Sequence, residues 1–189
     1  MKPFNVLPLP LFLLSSLLLA ISSSADLSFL ENTCRRVATA SPAIGYDFCV
    51  RSLRSDKESL AAADLAALAV VAARIANAAA AGTESRIKCM IESELNPSKR
   101  DRLGVCDEVY SDAIDRIRDA VRSIEAGLYS DAVTFLSAAL DASENCEDAF
   151  GEGAEDDGSA AAPPSPLERE DGEYERLAEI ALAITAWLV

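Results

Sequence analysis

The chain has 189 residues, five cysteines, no histidine, and 31 Asp and Glu against 17 Lys and Arg, a net charge of −14. Without histidine, Ser-His and Cys-His catalysis and every histidine-based metal site are excluded, and a surface this acidic repels nucleic acid and anionic lipid. A cationic partner is its electrostatic complement; plain solubility is the competing reading of the same charge.

In chain order, Lys2, the apolar run "LPLPLFLLSSLLLAI" and the small residues of "SSSAD" read as a secretory leader over residues 1–25, too short for a membrane span. Residues 26–189 then form one domain with 16 cations against 31 anions, a charge of −15. "SFLENTCRRVATA" reads as a helix opened by a capping box of Ser28 with Glu31 and stopped near Pro42. A second box, Ser55 with Glu58, opens a helix carrying Leu65, Leu68, Ala72, Ile75 and Ala79 at seven-residue bundle spacing. Ile87 and Met90 continue that stripe past Gly82, so one helix to Leu95 is expected, a break at Gly82–Thr83 being the alternative.

Asn96 before Pro97 is an N-cap and first-turn pair for the next helix, whose inward face is Cys106, Val109, Ala113, Ile117, Ala120 and Ile124. Gly127 ends it, Ser130 is placed to cap a helix carrying Val133, Leu136 and Leu140, and residues 151–172 read as a flexible acidic, Pro-rich connector. The last helix begins at "EYERLAEI", with Tyr174, Leu177, Ala181, Ile184 and Leu188 on one stripe.

Cysteine positions test this map. Cys106 and Cys146 lie equally far from Ala126, beside the turn glycine, so an antiparallel helix pair brings them together. Cys34 and Cys49 flank a helix end and a Pro and Gly turn, which suits a disulfide-tied hairpin. Cys89, next to Met90, is expected to be a buried free thiol. Nothing resembles an active site: "GEGAEDDG" lacks the spacing and lysine of a phosphate loop, and carboxylates on amphipathic helices are ordinarily a solvated face.

The paired cysteines, "ADLAALAVVAARIA", "VCDEVYSDAIDRI" and "LSAALDASENCEDAF" resemble the plant invertase/pectin methylesterase inhibitor family over residues 29–189, and the hairpin ending "YDFCV" resembles its pollen-allergen-like branch, named for invertase inhibition. The resemblance implies an all-α, up-down-up-down four-helix bundle with an N-terminal disulfide-tied helical hairpin. It implies a secreted, cell-wall inhibitor of a pectin methylesterase or an invertase, working by occlusion, with no catalysis, cofactor or metal. Invertase inhibitors of this family present a Pro-Lys-Phe triplet at an inter-helix turn, and the matching residues here are Gly127, Leu128 and Tyr129, which keep only the aromatic. Esterase inhibitors dock through bundle helix faces, which here offer Asp107, Glu108, Ser111, Asp112, Thr134 and Ser137. Against these roles stand a closed turn at Leu128 and Tyr129, ordinary solvated helix faces, and a non-inhibitory extracellular protein on the same scaffold.

Overall fold

A computed structural model describes residues 27–151 and 165–189. The leader and most of the connector fall outside them.

Helix α1, described over residues 27–40, turns through Ile44 and Gly45 (φ 74°) into α2, Tyr46–Arg54, and the Cys34–Cys49 disulfide closes the pair. Ser28 already lies inside α1, so it does not cap it. The hairpin rests along the second half of the last helix: the Arg36 guanidinium sits 3.9 Å from the Trp187 ring centre, and Arg176 sits 4.1 Å from that of Phe48.

The predicted long helix from Ser55 is divided. Asp56 caps a single turn, α3 (Lys57–Leu60), by accepting from the Glu58 N–H, while Ser55 ends α2. Asp64, in extended conformation, accepts from the Ala67 N–H and starts α4, Leu65–Ser93. Two short carboxylates that satisfy orphan N–H groups locally compete with helix continuity between them. Beyond Asp64 the helix runs unbroken through Gly82. By length and hydropathy α4 could span a membrane, yet its buried stripe of Leu68, Ala69, Ala72, Ala73, Ala76, Ala80 and Ile87 belongs to the bundle core.

Asn96 accepts from the Lys99 N–H with Pro97 in the first turn, as expected, and α5 runs Pro97–Glu125. Then come α6, Tyr129–Gly151, and α7, Glu168–Ala186. Helix α7 starts earlier than the reading from Glu173. Ser165 Oγ accepts from the Leu167 N–H in a buried turn, and the acidic residues Glu168, Glu170 and Asp171 suit a helix N-terminus.

Helices α4 and α6 each pack on both α5 and α7, giving an antiparallel ring of four. Cys106–Cys146 joins α5 to α6, with Cα atoms 4.6 Å apart. Each fully buried Leu or Ile, such as Leu68, Leu103, Ile117, Leu136 and Ile180, contributes about 1.5–3 kcal/mol.

Candidate functional site

At one end of the bundle, α5 stops in a two-bond cap: Leu128 N–H donates to Ser123 C=O at 2.8 Å, and Gly127 N–H to Ile124 C=O at 3.0 Å. This Schellman arrangement needs the left-handed conformation that Gly127 adopts at φ 74°. The same Leu128 starts α6, its carbonyl accepting from the Ala132 N–H, so Ser130 lies in the first turn and is not the cap. The predicted tip residues part company here. Tyr129 is half-buried against the core, whereas the Leu128 side chain is 54% exposed. Leu128 is thus the apolar point of the tip.

Farther along α5, Asp107, Glu108, Ser111 and Asp112 line one groove against α6, about 600 Å³ in volume, together with Asp115 and with Ala138, Ala142 and Asn145. Asp112 pairs with Arg116 at 3.3 Å and Asp115 with Arg118 at 2.8 Å, while the Lys88 Nζ stands 3.9 Å from Asp107. The two arginine pairs are exposed, and such pairs are worth about 0–1 kcal/mol and can be exchanged for a partner's cations. Glu108 is exposed and has no ion pair among the described residues. Thr134, one helical turn tipward of Ala138, donates its hydroxyl to Ser130 C=O; Ser137 is exposed beside it. The structure therefore gathers four of the six helix-face residues into the groove and leaves Thr134 and Ser137 outside its walls.

Cys89 corrects the sequence reading: it is free but exposed. It follows the buried Ile87 by two residues, about 200° around the helix, and so faces away from the core.

A buried polar cluster was not anticipated. Tyr110 of α5 donates to Asp171 Oδ1 at 2.5 Å, Tyr174 of α7 donates to the Ala139 carbonyl at 2.5 Å, and the two rings meet edge to face at 5.2 Å. Burial, then the neighbouring Glu147 carboxyl of α6, holds the Asp171 carboxyl well above the ordinary carboxylate range, although the Tyr110 donor pulls the other way. Burial likewise raises both tyrosines. Asp171 fell in the expected connector, which hid it. Tyr110 could have been found, since it continues the Cys106, Ala113, Ile117 face at helical spacing.

The sequence profile described as plant invertase/pectin methylesterase inhibitor matches residues 28–184. The chain belongs to this family. Among its relatives, a Platanus acerifolia protein named "Putative invertase inhibitor" is 34% identical over 173 residues, 92% of each chain. A "Pectinesterase inhibitor" of Actinidia deliciosa is 33% identical over 137 residues, covering 72% of this chain and 70% of that one. The crystal structure of a pectin methylesterase inhibitor from Arabidopsis thaliana has the same fold, with a TM-score of 0.59 at 22% identity over 86% of this chain and 97% of that one. The family's helical bundle thus agrees with the one built here from caps, stripes and cysteines.

Proposed function

We propose that the protein is a secreted, cell-wall inhibitor that binds a pectin methylesterase stoichiometrically and occludes its cleft, with no chemistry of its own. The observation that carries this reading is the acidic α5–α6 groove, with Asp107, Glu108, Asp112 and Asp115 on one wall. It offers a basic enzyme surface a complementary field and hydrogen-bond acceptors. A second reading, invertase inhibition, rests on the exposed Leu128 at the tip, and on the Platanus relative; the cation of the family's triplet has no counterpart there.

The test titrates oxidised residues 26–189 against a purified plant pectin methylesterase and a purified cell-wall invertase at pH 5 and pH 7. Loss of esterase activity near one equivalent, with invertase untouched, is the expected result. Loss of invertase activity alone transfers the function to the tip. Full activity of both enzymes beside a folded inhibitor overturns the proposal and leaves a non-inhibitory protein on this scaffold.

A further inference from the structure

Asp171 Oδ2 and Glu147 Oε1 are both shut off from solvent, each exposing less than 1 Å², and neither accepts a hydrogen bond from any described donor. Both residues border the same cleft between α6 and α7, with Ser143, Glu144, Glu168 and Glu175 around it. An ionised carboxylate can only accept, so two of them bordering one cleft without a donor would be both repulsive and unsatisfied. An ammonium or metal ion cannot reach oxygens this enclosed. A proton can, and one proton held between them satisfies both.

We infer that Tyr110, Glu147 and Asp171 form a proton-linked clamp that holds α5, α6 and α7 together in acid and loosens as the pH rises toward neutrality. The clamp spans three helices because each supplies one member: the Tyr110 hydroxyl binds one Asp171 oxygen, and the proton ties the other to Glu147.

The surrounding charges favour the protonated form. On α6, Glu144 adds negative potential beside Glu147; on α7, Glu168, Glu170 and Glu175 do so around Asp171. The cation from α4 that faces this end, Arg86, is engaged with Glu170 at 3.3 Å, as is Arg169 of α7 itself at 2.6 Å. From α5 comes the phenol of Tyr110, and Tyr174 of α7 gives its hydroxyl to Ala139.

The sign follows from proton binding. Between the ordinary carboxylate pKa near 4 and the raised value in the fold, the native state holds one proton that the unfolded chain has released, so stability is complete below that window and falls through it. One proton corresponds to a rise in the unfolding constant of up to about tenfold per pH unit. The clamp is independent of which enzyme is inhibited. It does bear on the docking groove, because Tyr110 lies between the groove residues Val109 and Ser111.

Urea unfolding of the oxidised protein at pH 5 and pH 7 tests it in the wild type, Asp171→Asn, Glu147→Gln and Tyr110→Phe. Either amide supplies a permanent N–H in place of the proton. The rise in the unfolding constant between the two pH values should shrink at least fivefold in Asp171→Asn and in Glu147→Gln, while Tyr110→Phe keeps the wild-type rise. Comparison with the wild type cancels the general repulsion of an acidic chain. A shrinkage below fivefold in both amide variants overturns the clamp. Carboxyl-carbon titration by NMR reads the same proton with no substitution: one carboxyl still protonated at pH 6 is expected, and none above that pH overturns it.

Discussion

Replacing Cys106 and Cys146 together by alanine should destabilise the protein more than replacing Cys34 and Cys49. The first bridge closes a sequence separation of 40 residues, the second one of 15. With loop-closure entropy growing as the logarithm of length, the losses are about 4 and about 3 kcal/mol. All four sulfurs are fully buried, so each alanine pair also leaves a small cavity, similar in the two cases and unable to reverse the order. For a domain of this size about 4 kcal/mol lowers Tm by roughly 8–16 °C. Urea melts followed by far-UV circular dichroism measure both variants against the oxidised parent. The loop-entropy account also requires a more expanded denatured state, visible as a larger m-value for the alanine pairs. A smaller loss for Cys106→Ala with Cys146→Ala than for the hairpin pair would refute the reasoning, as would a loss confined to the native state with no change in the denatured chain.

Gly127→Ala should cost about 1 kcal/mol in a urea melt, because the Schellman cap holds this residue at φ 74°, where a Cβ is strained. Ala76→Leu should cost about 1–3 kcal/mol by overpacking, since Ala76 is wholly buried on α4; an unchanged melting temperature would mean the ring of helices is looser than its burial indicates. Glu108→Lys with Asp112→Lys should slow association with a basic pectin methylesterase about tenfold or more at low salt while leaving the melt nearly unchanged, and stopped-flow traces at 50 and 500 mM NaCl should show the difference vanishing as charges are screened.

Much of the bundle was legible because its signals are local. Asn96 with Pro97 announces α5, and the stripe from Cys106 to Ile124 needs only a period of 3.6 to place it inward. Val109 on that stripe is only half-buried, while Tyr110 beside it is the residue wholly enclosed. The equal spacing of Cys106 and Cys146 about the turn was enough to pair them. What stayed hidden depends on competition or on juxtaposition. Asp64 is a carboxylate in a run of alanines, and its capping bond, which separates α3 from α4, has no periodic signature. The start of α7 was masked because its first turn is acidic and is followed by Gly172, unfavourable for a helix interior by about 1 kcal/mol until the burial of Leu167 decides otherwise. The exposed acids of α5 were visible as candidates, but their groove exists only once Ala138, Ala142 and Asn145 of α6 form the facing wall.

The alanine stripe of α4 has a mechanical consequence. Alanine has no rotamers with which to adjust, so where Ala69, Ala72, Ala73, Ala76 and Ala80 meet their neighbours the packing surface lies close to the helix backbone and cannot re-form by side-chain rotation. A spine of this kind has little side chain to yield under compression. The outer faces of α5 and α6 can therefore exchange one side chain for another as on a stiff printed board, each change altering what the surface says to a partner while the distance between the helices stays the same.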